Sequence, residues 1–248
     1  MRQQCAIGII IVGDEILSGK RQDRHLAHVI DVLRARGLHV AWCRYLGDDL
    51  SQLTDALRQS QLGDLPVVCF GGIGATPDDC TRQAAAKAFG SPLVLNAEAV
   101  ALIESQFGAG AYPYRVRMAE LPEDCLLIPN PYNRIPGFTL YDHHFLPGFP
   151  EMAWPMLDWV LNTYYPSQTT WMHERSLRVF GIAESQLLPL MEQLSARHGK
   201  VKLFSLPRLG EVISIEMGFR GESESVETAF AELLDALRTL GLTVQSAA

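Results

Sequence analysis

Three times within its first ninety residues the chain repeats one pattern: a short apolar run, a turn rich in glycine and acidic residues, and a stretch at helical spacing. Residues 5–12 are continuous in Ile and Val, as in a strand covered on both faces of a parallel sheet, and run into Gly13-Asp14-Glu15-Ile16-Leu17-Ser18-Gly19-Lys20. Over residues 23–36, Leu26, Val29, Ile30 and Leu33 recur on one helical face, and Gly37 follows as a C-cap. A second strand, 38–46, ends at Gly47-Asp48-Asp49, which opens a helix presenting Leu50, Leu53 and Leu57. The third run, 65–70, meets Gly71-Gly72-Ile73-Gly74-Ala75-Thr76-Pro77-Asp78-Asp79-Cys80-Thr81 and then an alanine-rich helix to Phe89. Strands and helices alternating at this spacing specify a doubly wound α/β sheet, whose ligands bind beyond the carboxyl ends of the strands. All three glycine-acid turns fall on that edge.

The chemistry is densest in residues 71–81. Glycines let a backbone approach a ligand closely, and exposed amides at a helix start favour an anion. Two adjacent carboxylates at the same corner repel a bare phosphate. They fit if a Mg²⁺ ion bridges them, or if they act as acid, base or hydroxyl acceptor. Gly-Gly-x-Gly with Asp-Asp is more than a helix cap requires. The hydroxyls of Ser18, Thr76 and Thr81 lie in the same turns.

Other chemistries are excluded or demoted. No G-x-x-x-x-G-K-[ST] occurs, so there is no P-loop. Gly72-Ile73-Gly74 lacks a third glycine and follows the third strand, against a Rossmann dinucleotide site. No G-x-S-x-G elbow occurs. Cys80 opens a helix, but Asp78 and Asp79 oppose a thiolate there, so it is read as a bystander. In Asp142-His143-His144 the two histidines of a strand face opposite ways, so at most one joins any site, and a solvated strand edge is expected.

Asn96 caps a helix over 97–107, and short strands follow at 126–128, 138–141 and 145–149, separated by stiff Pro-Asn-Pro and Ile-Pro-Gly loops. Pro150 suits a helix start, and Pro155 places the regular part of that helix later. Residues 164–168 read as a linker. Beyond them come a strand (171–179), a helix (184–197), a hairpin (201–206 with 212–219, around Pro207-Arg208-Leu209-Gly210), a helix (226–240) and a strand (242–244). That βαββαβ order is ferredoxin-like. The expected domains are 1–166 and 170–248, the second for packing, dimerisation or covering a substrate. A net charge of −7 argues against a nucleic-acid partner. Five widely spaced cysteines without a Cys-x-x-Cys pair read as reduced thiols in a cytoplasmic protein. The apolar start is about seven residues and has no cleavage site, so it is a strand and not a signal peptide. No run approaches the ~18 apolar residues of a membrane span.

The segments Val12 to Gly19, Gly47-Asp48, Gly71 to Thr81, Arg117-Met118-Ala119, Pro129-Asn130-Pro131, Pro136-Gly137-Phe138, Leu146 to Met152 and Phe180 to Ser185 together resemble the molybdopterin-binding-domain superfamily. That is the fold of the MoaB and Mog molybdenum cofactor proteins, and the likeness is greatest to the amino-terminal part of CinA and the similar domain of FAD synthases. The resemblance implies a doubly wound three-layer α/β domain followed by a small βαββαβ domain. It implies a phosphorylated ligand, with molybdopterin as one candidate, and a site of Gly13, Asp14, Glu15, Gly19, Gly71, Gly72, Ile73, Gly74, Thr76, Thr81, Asn130, Pro147 and Gly148. Asp48 and Asp79 are the expected catalytic residues, and Asp78 with Asp79 the expected Mg²⁺ ligands. Ile73 and Asp78 stand where the Mog-type pattern has Thr and Arg. The further deamidase domain usual in CinA proteins is not expected, since the chain ends at Ala248. Two functions follow: metal-dependent cleavage of a nucleoside diphosphate such as ADP-ribose or FAD, or non-catalytic pterin or nucleotide binding in molybdenum cofactor metabolism. A homo-oligomer is expected in either case.

Overall fold

A computed structural model of the protein describes residues 6–166, 173–208 and 213–246. The chain forms two compact units, Met1–Ser167 and Gln168–Ala248. In chain order the first unit contains β1 (Ala6–Val12), α1 (Asp14–Leu17), α2 (His25–Ala35), β2 (His39–Leu46), α3 (Leu50–Gln61), β3 (Val67–Phe70) and α4 (Thr81–Phe89). It continues with β4 (Leu93–Leu95), α5 (Ala97–Phe107), β5 (Glu120–Pro122), β6 (Leu126–Ile128), β7 (Gly137–Leu140), β8 (His143–Leu146) and α6 (Pro150–Tyr164). Two 3-10 turns, Gly108–Ala111 and Arg115–Ala119, lie between α5 and β5.

The main sheet has the order β2-β1-β3-β8-β7-β6. The first three pairings are parallel and the last two antiparallel. Strand β1 is central to this arrangement and its sequence fits both faces. Ile7, Ile9 and Ile11 join the core under α2 and α6, whereas Ile10 and Val12 join the core under α3, α4 and α5. All five are 0–5% exposed, and each contributes roughly 1.5–3 kcal/mol of apolar burial. Gly8 fits where a side chain would not, because a Cβ there would collide with the Trp42 ring. The β1–β2 register slips by one residue between Ile7 and Gly8, beside that ring.

Three expectations about this unit need correction. His143 and His144 do not lie on a solvated edge. Strand β8 is flanked by β3 and β7, and both rings are buried at 3% and 1% exposure. Neutral groups partner three of their four ring nitrogens: His143 Nε2 lies 2.8 Å from Ser60 Oγ, His144 Nδ1 2.9 Å from Thr139 Oγ1, and His144 Nε2 2.8 Å from the Tyr165 hydroxyl, while His143 Nδ1 is buried without a partner. That last contact also draws Tyr165 out of the expected linker and packs it against the sheet. The helix α6 runs unbroken from Pro150 to Tyr164. Pro155 forfeits one backbone bond on the exposed side without ending the helix.

In the second unit β9 (His173–Phe180), α7 (Glu184–Arg197), β10 (Val201–Arg208), β11 (Ser214–Gly221), α8 (Ser223–Thr239) and β12 (Thr243–Ser246) follow the expected βαββαβ order. The sheet β10-β11-β9-β12 is antiparallel throughout and carries a core of Leu177, Val179, Leu187, Met217, Phe219 and Leu233. The expected hairpin turn and the first residues of the expected strand 171–179 lie partly outside the described residues. No described helix is long and apolar enough to cross a membrane.

The buried histidines predict a pH dependence. Burial pushes His143 down to about 4 and, with its neighbour, His144 to about 3. Unfolded, both titrate near 6.5. Their contribution is therefore complete above pH 6.5 and is lost as pH falls below it, by roughly 3 kcal/mol per ring at pH 4. Urea unfolding at pH 7.5 and pH 4.5 measures this. The His143→Met variant should show a flatter acid limb, after a neutral-pH cost of about 1 kcal/mol for the lost bond to Ser60, whose hydroxyl keeps its bond to the Leu57 carbonyl.

Candidate functional site

The carboxyl ends of β1, β2, β3 and β8 open onto a cavity of about 630 Å³. Its floor is the turn after β3, whose path only glycine permits at two points. Gly71 (φ 103°) and Gly72 (φ 69°) are left-handed. A Cβ on Gly71 would strike the Val12 carbonyl, and one on Gly72 the Thr81 hydroxyl. Gly71 N–H continues the ladder to the Leu146 carbonyl (2.9 Å), and Thr81 N–H closes the turn onto the Gly72 carbonyl (2.9 Å). Among the described residues, the amides of Gly72, Ile73, Gly74 and Ala75 donate to no protein acceptor. Successive free N–H groups at a cavity floor are the kind of donors from which anion-binding concavities are built.

The acidic residues are committed elsewhere. Asp14 and Asp48 exchange backbone bonds: Asp14 N–H donates to Asp48 Oδ2 (2.9 Å) and Asp48 N–H to Asp14 Oδ1 (3.3 Å). This ties the turn after β1 to the turn after β2. Asp79 Oδ2 accepts from Thr76 N–H (2.9 Å) and from the Thr76 hydroxyl, closing its own loop. Burial raises the Asp48 pKa, opposed by the Asp14 amide and reinforced by the Asp14, Glu15 and Asp78 carboxylates. Burial likewise raises Cys80, with Asp48, Asp49 and Asp79 adding to it, so the thiol is protonated and unreactive.

The cavity gathers Gly13, Glu15, Asp48, Gly71, Gly72, Ile73, Gly74, Thr76, Asp78, Asp79, Asn130, Pro147 and Gly148 of the expected site. Three expected residues do not line it. Thr81 is fully buried behind Gly72, Gly19 is exposed and outside the lining, and Asp14 faces an adjoining depression with Ser18 and Lys20 that shares Glu15, Asp48 and Asp78 with the cavity. Asn130 lines the wall, but its side chain braces its own loop, with Nδ2 donating to Asn133 Oδ1 (2.8 Å) and the Ile135 carbonyl (3.0 Å), and Oδ1 accepting from Tyr132 N–H. Sequence reasoning missed Arg21, Met118, Asn133, Ile135, Phe149 and Met152. Arg21, the sole cation in the lining among the described residues, sits 5.5 Å over the Phe149 ring and 3.8 Å from Glu15. Its place directly after a paired-acid turn was the available signal.

These residues give no support to the expected Mg²⁺ site. Asp79 is spent on Thr76, Asp78 is exposed, and among the described residues no group of three or more His, Cys, Asp or Glu side chains converges to hold a metal ion.

Residues 8–166 match the family model described as "Probable molybdopterin binding domain". A CinA-like protein of Citrifermentans bemidjiense is 31% identical over 243 residues, which cover 93% of this chain and 58% of that protein. Another, of Syntrophotalea carbinolica, is 33% identical over 198 residues, covering 73% of this chain and 46% of that protein. The chain thus spans about half the length of the curated relatives it matches. The crystal structure of CinA from Thermoplasma acidophilum, a protein described there as of unknown function, superimposes with a TM-score of 0.59 at 31% identity, covering 65% of this chain and 98% of that one.

Two substitutions test the local physics. The folded Asp48 pKa lies above its unfolded value, so the ionised carboxylate opposes folding once pH rises through the folded value. Asp48→Asn keeps an acceptor for the Asp14 amide and should raise the melting temperature at pH 7, the gain vanishing at pH 3. Gly72→Ala should cost about 1–3 kcal/mol in urea unfolding, from its left-handed backbone and the Thr81 collision.

Proposed function

The chain belongs to the molybdopterin-binding-domain family, in its CinA-like branch, and from that premise we propose that its glycine-lined cavity binds a phosphorylated pterin or nucleotide. The observation that carries this reading is the run of four unpartnered amides, Gly72 to Ala75, on the cavity floor. Backbone donors suit a phosphate better than a free carboxylate of this acidic chain could, because they carry fixed dipoles and lose no side-chain freedom on binding. The wall opposite, with Met118, Ile135, Phe149 and Met152, offers apolar surface to a planar heterocycle.

A hydrolytic reading is favoured by Asp48, a lining carboxylate whose proton affinity is raised. In that reaction water attacks one phosphorus of a bound nucleoside diphosphate compound and the bridging P–O bond breaks. Asp48 takes the water proton. ADP-ribose would yield AMP and ribose 5-phosphate. No step is assigned to a metal ion.

Titration calorimetry of the full chain with ADP-ribose, FAD, AMP and molybdopterin tests the binding reading. Saturable binding of at least one of them is expected, and no binding of any at millimolar concentration overturns it. Product analysis tests the hydrolytic reading. Asp48→Asn should lower turnover of ADP-ribose by about 100-fold or more while leaving binding intact. Binding without turnover in the wild type leaves a carrier instead of a hydrolase.

A further inference from the structure

Arg82, the second residue of α4, is 3% exposed and, among the described residues, makes no ion pair. Its guanidinium is spent on backbone carbonyls. Nη2 donates to Gly74 (2.7 Å), Nη1 to Glu120 (3.0 Å) and to Arg117, and Nε has no partner. Burial pushes its pKa down, and the Glu120 and Asp79 carboxylates offset this only through space. A buried charge without a contacting counter-ion is costly to keep. Here it lies directly behind the phosphate-binding turn.

The bond to Gly74 has a second effect. The Gly74–Ala75 peptide is trans, so its N–H points opposite to its carbonyl. With the carbonyl held back on Arg82, the Ala75 amide is turned away from Arg82, toward the cavity that Ala75 lines. The other two carbonyls bonded by Arg82 flank Met118, another part of the cavity wall. One side chain thus fastens floor to wall and places a positive charge beneath both.

The lining itself holds four carboxylates, Glu15, Asp48, Asp78 and Asp79, against the single guanidinium of Arg21. A polyanion entering that field needs further positive potential. We infer that Arg82 is a positioning residue that supplies it, fixing the Gly74–Ala75 peptide and selecting ligands with two or more negative charges. Such ligands are diphosphate diesters and phosphate dianions, in preference to uncharged nucleosides or pterins. This rests on the phosphate-binding reading above.

The test compares ADP-ribose and adenosine as titrants of wild type, Arg82→Met and Arg82→Lys, with unfolding curves for each. Arg82→Met should weaken ADP-ribose binding by about tenfold or more while changing adenosine binding little. A lysine at this buried position has a lowered pKa. In Arg82→Lys, ADP-ribose affinity should therefore fall between pH 7 and pH 10, whereas the wild type stays level. A merely structural role would weaken both ligands alike and give no such profile. If Arg82→Met fails to fold, the Arg82→Lys profile decides. An unchanged preference for ADP-ribose over adenosine in Arg82→Met, or a level profile in Arg82→Lys, overturns the inference while leaving the binding reading standing. Absence of ADP-ribose binding by the wild type overturns both.

Discussion

The arrangement depends on β1 being paired in parallel on both sides. With β2 on one edge and β3 on the other, three strands end at the same level, and the turns that follow them have no choice but to meet. Two hydrophobic cores, one on each face, hold β1 there through residues that alternate between them. The ligand edge is thus a consequence of burial and not of any attraction among the polar residues that occupy it. Those residues repel one another, and the cores supply the free energy that keeps them together.

The repulsion is managed in a particular way. Asp14 and Asp48 each accept the other's amide, and Asp79 accepts two donors from Thr76. These three carboxylates are therefore anchored by amides and a hydroxyl and not by cations; Arg21 is shared with Glu15, and the amides of residues 72–75 are left for an incoming group. The charge on Arg82, behind the site, contacts none of these acids and reaches Asp79 only through space. An acidic pocket that accommodates an anion is reasonable only when the negative groups are spent on the scaffold and the donors are not.

Much of the scaffold was legible because it is local. The three glycine-acid turns, the Asn96 cap, whose side chain accepts from Ala99 N–H, and the helix Glu184–Arg197 follow from patterns within a few residues. What was not legible depends on order in the sheet. Whether His143-His144 lies on an edge or in the middle is decided by β3, more than seventy residues earlier, and no periodicity records it. Nothing in Thr81-Arg82-Gln83 marks Arg82 for burial; the turn before β5 buries it. Thr81 looked available as a donor because sequence places it in the turn, but the left-handed Gly72 folds the chain across it. Asn130 was identified by its loop, yet its side chain is consumed in bracing that loop.

The slip in pairing between Ile7 and Gly8, with the Trp42 indole laid on the glycine, bears on how the sheet is assembled. A run of isoleucines and valines is nearly self-similar, so as a pairing partner it offers several alignments of comparable appeal. The indole breaks that degeneracy. Only at Gly8 is there room for it, and moving β2 by one residue in either direction would press it against an isoleucine. The bulge therefore serves as a registration mark during folding. It lets a monotonous strand find one partner alignment, and with it the level at which every later turn is set.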